Sequence, residues 1–168
     1  MFRSASLPAA AVLGALLTIT AAISADAAAE LSEAKARSII APFYDALNQP
    51  ARKDVAALLE QSTSPGWMSC GGNDVCVPRE RVIAGFKSRG EGVPDLTWKI
   101  VDVIVAGDRV IVRGEATGTP KAPFFGAAPN GKSFRVMSID VHTIANDKMV
   151  RSYHIEDWAG AVRQLTSE

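Results

Sequence analysis

The hydrophobic pattern of this chain changes period near its middle. Over residues 32–47, apolar side chains recur every three or four residues, which predicts an amphipathic helix with a kink at Pro42. Shorter helices are predicted over residues 55–59 and 79–87, and a short strand near Trp67. The first half of the chain is therefore expected to be mainly helical.

The second half alternates apolar and polar residues with a period of two. This pattern predicts strands over residues 96–106, 110–117, 134–144 and 149–157, joined as an antiparallel meander with a long loop at 120–132. Helices followed by a meander are typical of an α+β fold. N-terminal helices packed over a curved antiparallel sheet would enclose a pocket that is open at one end, which is a natural place for a ligand.

The N-terminal segment has the character of an export signal. It carries Arg3, then an uncharged apolar run from residue 7 to residue 23, and then Ala25-Asp26-Ala27, a small-x-small cleavage pattern. We therefore expect a secretory signal peptide over residues 1–27 and one domain over residues 28–168. The mature protein would be periplasmic or secreted, and it would have no membrane attachment once the signal is cleaved.

Charge and motif content argue against several classes of function. The 18 basic and 18 acidic side chains balance, and no basic stripe is present, so nucleic acid is not an expected partner. No Walker or dinucleotide-binding glycine pattern, nucleophile elbow or metal-ligand spacing occurs. No cofactor and no metal are expected. A small apolar molecule is the expected partner, and the exposed strand faces of such a sheet also allow a homodimer.

The two cysteines, Cys70 and Cys76, are separated by a short loop that contains Gly71 and Gly72. In an oxidising compartment this spacing favours a local disulfide, because the glycines let the backbone turn tightly. A reactive or metal-binding pair is the alternative.

The last predicted strand leads into a short C-terminal helix at Asp157. Alternation places Arg151, Tyr153, Ile155 and Asp157 on one face of the strand, and that face is apolar near Asp157. A carboxylate among apolar groups loses hydration, and its pKa rises toward the range of a proton shuttle. Asp is also a strong helix N-cap, and the two roles do not exclude each other.

Other polar candidates lie on the neighbouring strand. Asp140 and His142 share one face, where they are either a buried pair that needs hydrogen-bond partners or part of a solvated edge. His154 is predicted to face away from Asp157, as a structural histidine, unless a bulge turns it inward. Further residues expected to contact a ligand are aromatic: Tyr44, Trp67, Phe124, Phe125 and Tyr153. The long loop that carries Phe124 and Phe125 is predicted to be a lid over Asp157.

The residues from 153 to 165, read with Thr117-Gly118-Thr119 and Pro123-Phe124 upstream, resemble the SnoaL-like polyketide cyclase (ester cyclase) family. That family belongs to the nuclear-transport-factor-2-like superfamily of cone-shaped α+β domains. The resemblance implies a cofactor-independent enzyme whose acid/base aspartate falls on Asp157, directly before a segment similar to the family's terminal Gly-x-x-x-Gln-Leu. Many members carry a histidine where this chain has Pro120.

Three functions follow as expectations. The first is acid/base catalysis of a cyclase or isomerase type on a small apolar carbonyl or ester substrate, with Asp157 removing and returning a proton. The second is a non-catalytic exported binding protein for an apolar small molecule. The third is a hydrolase or isomerase on the same scaffold that uses Asp140 with His142.

Overall fold

The computed structural model describes residues 30–167. The predicted signal peptide lies outside these residues. Within them, no helix has both the length and the apolar character needed to cross a membrane.

Helices precede most of the sheet, as the change of hydrophobic period predicts. In chain order the elements are α1 (Glu33–Ala46), a short 3-10 helix (Pro50–Arg52), α2 (Val55–Ser62), β1 (Thr63–Cys70), β2 (Cys76–Pro78), α3 (Arg79–Gly92), β3 (Thr97–Ala106), β4 (Arg109–Gly118), β5 (Phe134–Ala145), β6 (Lys148–Glu156) and α4 (Trp158–Thr166). Ser32 begins α1 by accepting a hydrogen bond from the Lys35 N–H, and α1 continues through Pro42. The third helix extends beyond its predicted end, to Gly92.

The strands form one sheet in the order β2-β1-β6-β5-β4-β3. The meander from β3 to β6 is antiparallel throughout, which confirms the predicted α+β architecture. The sheet as a whole is mixed, because β1 pairs in parallel with β6. That contact joins distant parts of the chain, so local alternation does not reveal it.

The core lies between α1 and the inner face of the sheet. Ile40, Phe43 and Tyr44 of α1 are buried, and so are alternate residues of β4 and β5 such as Val112 and Phe134. The inner face of this sheet also carries polar side chains. On β5 these are Ser138, Asp140 and His142, all almost fully buried.

The inward-facing residues of β6 differ from those expected. Ser152 is buried and His154 and Glu156 are partly buried, whereas Ile155 is 70% exposed on the outer face and Asp157 is also exposed. The expectation that the face of Asp157 lines the cavity is therefore wrong. The apolar residues near Asp157 indicated the wrong buried face for this strand, because its outward face is the more hydrophobic one there.

Candidate active site

A buried polar cluster connects α1 to the middle of β5. The Tyr44 hydroxyl lies 3.0 Å from Asp140 Oδ2 and 3.0 Å from His142 Nε2. Burial, followed by the Asp140 charge, raises the pKa of Tyr44 well above its usual value, so the phenol stays protonated and donates to Asp140. Tyr44, Asp140 and His142 were each candidate ligand contacts, and the structure brings the three together.

His142 is held by partners on both ring nitrogens. Its Nδ1 lies 2.8 Å from Ser152 Oγ, which also accepts a hydrogen bond of 2.9 Å from Trp67 Nε1. Burial, and then the charge of His154, lowers the pKa of His142 to about 3, so the ring is neutral at ordinary pH. In the tautomer that satisfies this network, Ser152 donates to Nδ1 and Nε2–H donates to the Tyr44 oxygen. Trp67 thus supports the cluster from within the core and does not line the cavity.

Asp140 has two oxygens in different surroundings. Oδ2 accepts from Tyr44 and, at 3.5 Å, from Ser138, whose Oγ in turn accepts from Trp98 Nε1. Oδ1 makes no hydrogen bond with any described residue, yet it is not sealed off. Burial and the charge of Glu156 raise the pKa of Asp140 to about 7, and the Tyr44 hydrogen bond opposes that rise. A carboxyl group of this kind exchanges a proton near neutral pH.

His154 faces Asp140 directly across the β5–β6 ladder. Its Nδ1 lies 2.9 Å from Glu156 Oε1. The hydrogen bond to Glu156 is the largest influence on the imidazole, and it raises the pKa of His154 although burial opposes it. A protonated His154 would present Nε2–H as its remaining donor. The predicted outward orientation of His154 is wrong, since the inner face of β6 is the one that it shares with Ser152 and Glu156.

A small internal cavity of about 40 Å³ separates these groups from α1 and α3. Its lining combines three ionisable side chains with apolar walls: Phe43, Leu47, Ser69, Phe86, Trp98, Asp140, His154 and Glu156. Ligand sites usually measure about 300–1,000 Å³. A substrate of ordinary ligand size can therefore reach Asp140 only if side chains that line the cavity, such as Phe86, move.

A larger groove of about 350 Å³ lies between α3 and the loop that carries the two phenylalanines. Phe125 is 57% exposed there and stacks on Trp158, with ring centroids 5.7 Å apart. Phe124 is buried and stacks on Phe134, so it belongs to the core. The predicted lid therefore has one exposed aromatic, Phe125. The expectation that Asp157 lies beneath this loop is wrong, because Asp157 is on the outer face.

Asp157 is the N-cap of α4. Its Oδ1 accepts a hydrogen bond of 2.7 Å from the Gly160 N–H, and Oδ2 lies 3.7 Å from Arg163. The side chain is 53% exposed, and it borders an open groove of about 300 Å³ on the outer face, beside Met137, Ile139 and Ile155, rather than a closed apolar cavity. Tyr153, on the same outer face, is likewise outside the cavity.

The predicted disulfide between Cys70 and Cys76 is confirmed. It closes the β1–β2 hairpin beside the cavity, since Ser69 is a lining residue. A Cβ atom added at Gly71 would lie 3.6 Å from the His154 ring, so this loop covers one side of that histidine.

Sequence reasoning missed Ser138, Ser152 and Glu156 as members of the site. Ser138 shares a face of β5 with Asp140, and the other two share a face of β6 with His154, so alternation pointed to them once the inner face was known. Among residues 30–167, no group of three or more His, Cys, Asp or Glu side chains is arranged to hold a metal ion.

The layered fold and its internal polar site define a nuclear-transport-factor-2-like α+β cone. The match of residues 40–165 to the model of the SnoaL-like polyketide cyclase family then shows that the chain belongs to that family. No curated protein matches the chain.

Solved structures of similar shape support this assignment at the level of the fold. TsrD from Streptomyces laurentii is 23% identical, with a TM-score of 0.70 over 83% of this chain and 100% of its own. A SnoaL-like protein from Jannaschia sp. CCS1 is 22% identical, with a TM-score of 0.69 over 80% of this chain and 94% of its own. IdmH from Streptomyces antibioticus is 24% identical, with a TM-score of 0.66 over 76% and 96%.

Proposed function

We propose that this protein is an exported, cofactor-independent acid/base enzyme of the cyclase or isomerase type, and that Asp140 moves the proton. The single observation that carries this proposal is the buried carboxyl group of Asp140, whose pKa is raised to about 7 and whose Oδ1 is unbonded beside the cavity. We thus assign to Asp140 the acid/base role that the family resemblance implied for Asp157. The SnoaL-like family membership supports the reaction type.

Each polar group at the cavity has a task in this reaction. Asp140 Oδ1 removes a proton from the carbon next to a substrate carbonyl and later returns it to the product. The carbonyl oxygen becomes negatively charged as the proton leaves, and Nε2–H of a protonated His154 donates a hydrogen bond to it. Glu156 favours the protonated form of His154 by accepting a hydrogen bond of 2.9 Å from Nδ1–H. For a cyclase, the enolate carbon then forms a bond to a second carbonyl of the same substrate.

Tyr44 and His142 position the base. The Tyr44 hydroxyl donates to Asp140 Oδ2, and His142 Nε2 holds that hydroxyl in place, which leaves Oδ1 for the substrate. His142, being neutral, adds no charge that would lower the pKa of Asp140. A positioned acid/base group accelerates proton transfer by about 10²–10⁴-fold.

Export of the mature domain is part of the proposal. The Cys70–Cys76 disulfide is compatible with an extracellular location. The uncharged apolar run near the N-terminus supports a cleaved signal. A non-catalytic container for apolar molecules remains the second candidate, and the 350 Å³ groove is the observation that favours it.

Hydrogen–deuterium exchange on a simple ketone tests the catalytic role. In deuterium oxide near neutral pH, the protein should accelerate exchange at the acidic carbon of α-tetralone above the buffer rate, as followed by proton NMR. Asp140→Asn should reduce the accelerated rate about 10²-fold or more, while Asp157→Asn should not change it. Acceleration that survives Asp140→Asn but is lost in Asp157→Asn would contradict the assignment. An absence of acceleration by the wild type with a panel of ketones would favour the container.

A further inference from the structure

Arg89, in the last turn of α3, is a partly buried arginine without a carboxylate partner. Several arginines of this protein, including Arg37 and Arg163, form ion pairs at the surface. The Arg89 guanidinium forms no ion pair or hydrogen bond with any residue between 30 and 167, and its nitrogens are not sealed from the groove. Such a group is costly to bury unless something pairs with it.

Aromatic rings hold this guanidinium in place. Its Cζ atom lies 4.9 Å from the centroid of the Trp158 ring and 6.0 Å from that of Phe125. The two rings stack on each other, and Phe125 is mostly exposed. Cation–π contacts of this kind orient the planar cation while leaving its N–H donors free for a ligand. Burial lowers the pKa of Arg89 and the charge of Glu156 opposes that change, but an arginine remains protonated at neutral pH.

The groove around Arg89 is of ligand size and combines polar groups with apolar walls. Its volume of about 350 Å³ lies within the usual range for small-molecule sites. Arg89 and Ser88 supply the polar groups, and the apolar walls come from both sides: Val93 of α3, with Ala122, Pro123, Phe124 and Phe125 of the facing loop. Nothing lies within 4 Å of a Cβ atom added at Gly85, so the groove is open beside that residue.

The groove and the proposed site are adjacent, as one hydrogen bond and one helix show. Trp158, beneath Arg89, donates its Nε1–H to Glu156 Oε2 at 3.1 Å, and Glu156 lines the inner cavity with Asp140. On α3, Phe86 lines the cavity and Arg89, three residues later, lines the groove. Side chains three apart in a helix are neighbours on one face. A displacement of Phe86 would open the cavity on the side of α3 that also carries Arg89, toward Asp140.

We propose, building on the function above, that the substrate is an amphipathic carboxylate whose acidic group pairs with Arg89 in this groove. Its apolar part lies on Phe125 and the loop, and its reactive carbonyl extends past Phe86 toward Asp140. A guanidinium donates two parallel hydrogen bonds to the two charged oxygens of a carboxylate, and a neutral ester cannot accept an equivalent pair. Arg89 thus selects acids over their neutral analogues, and the selected class is a keto acid with an apolar body.

A matched pair of fluorescent probes tests the anion site without knowledge of the natural substrate. Anilinonaphthalene sulfonate and phenylnaphthylamine share the same ring system and differ by one anionic group. Wild type should bind the sulfonate more tightly than the neutral probe. Arg89→Gln should weaken sulfonate binding about tenfold or more, the factor expected for loss of one charge-assisted pair, and should change binding of the neutral probe less than about twofold.

Lys87→Gln is the matched control, because Lys87 is an exposed cation on the same helix. It should leave both affinities unchanged. Equal losses for the two probes in Arg89→Gln, or no loss for either, would overturn the anion site. If Arg89→Gln does not fold, displacement from the wild type decides the question. Decanoate should then displace the bound sulfonate at lower concentration than decanol, and equal displacement would overturn the site.

The same titration with Asp140→Asn separates this inference from the proposed catalysis. That variant should keep the wild-type affinity for both probes, because Asp140 lies in the cavity and not in the groove. If the wild type prefers the sulfonate but does not accelerate exchange on the ketones, the anion site is supported and the catalytic role of Asp140 is contradicted. If the wild type accelerates exchange but binds the two probes equally, the catalytic role is supported and the anion site is contradicted.

Discussion

Asp140 combines burial with an accessible oxygen, and this combination distinguishes it from the other carboxylates between residues 30 and 167. Burial favours the neutral form of its carboxyl group, while the Tyr44 hydroxyl stabilises the charged form. The resulting pKa of about 7 allows both forms to be populated at neutral pH. Asp157, by contrast, is exposed and bonded to the backbone of its own helix.

The raised pKa of Asp140 predicts a particular dependence of stability on pH. The folded protein holds this proton up to a pH of about 7, whereas the unfolded chain loses it near the usual value of about 4. Between these limits the folded state binds more protons, so the free energy of unfolding falls as pH rises, by up to about 1.4 kcal/mol per pH unit. This loss is complete above the folded pKa.

Asp140→Asn should remove that dependence. Urea unfolding at about pH 5 and pH 7 should show wild type losing more than about 1 kcal/mol relative to the variant over this interval. Asp102→Asn is a suitable control, since it removes an exposed carboxylate from β3. Parallel pH profiles for wild type and Asp140→Asn would show that Asp140 is not protonated in the folded protein at these pH values.

At the scale of elements, the junction between β6 and α4 accounts for an aspartate at position 157. A strand that runs directly into a helix needs an N-cap at the boundary, and Asp157 satisfies the Gly160 N–H there. The side chain before the junction, Glu156, is directed inward and bonds both His154 and Trp158. One step along the strand thus separates a capping residue from a residue of the site.

The capping role of Asp157 predicts different effects for two substitutions. Asp157→Ala should lower the free energy of unfolding by about 1 kcal/mol, because the first turn of α4 loses its acceptor. Asp157→Asn should cost only a few tenths of a kcal/mol, because asparagine caps nearly as well. Urea unfolding measures both values. A large effect of Asp157→Asn on ketone exchange, with stability unchanged, would restore a catalytic role for this residue.

At the scale of the whole molecule, the outer face of the sheet is unusually apolar. An unbroken row of aliphatic and aromatic side chains crosses four strands of this face. Its members pair from β3 to β6: Ile104 with Ile111, Ile111 with Val141, and Val141 with Tyr153. Ile155 adds to this surface and is 70% exposed. Monomeric proteins rarely expose large continuous patches of this kind.

We therefore expect the outer faces of two copies to pair as a homodimer. Asp102 pairs with Arg113 beside the row, and the chain has a formal net charge of zero, so no net charge opposes the association of two copies. Light scattering after size exclusion should give about twice the protomer mass. Replacing Ile104 and Ile155 by lysine should yield a folded monomer, because both side chains are exposed. Val75→Lys, in the disulfide loop, is the control that should stay dimeric. A monomeric wild type would contradict this prediction.

Much of the fold was predictable from the chain because its elements are local. The 3.6-residue and two-residue periods identify α1 and the β3–β6 meander, and the glycine-rich spacing identifies the Cys70–Cys76 disulfide. Asp140, His142 and Tyr44 were recognisable as candidates, since polar residues that alternate with core residues need partners.

Which face of β6 turns inward was decided only by tertiary structure. Alternation separates Asp157 from His154 and Glu156, but it assigns neither set to the interior, because both faces have the same period. The parallel pairing of β1 with β6, and the packing of α1 and α3 over the sheet, bury the more polar face and expose the apolar one. The sequence alone thus determined the elements and the chemistry available to them. Long-range packing determined that Asp140 loses its hydration while Asp157 keeps it, and that Arg89 faces a groove.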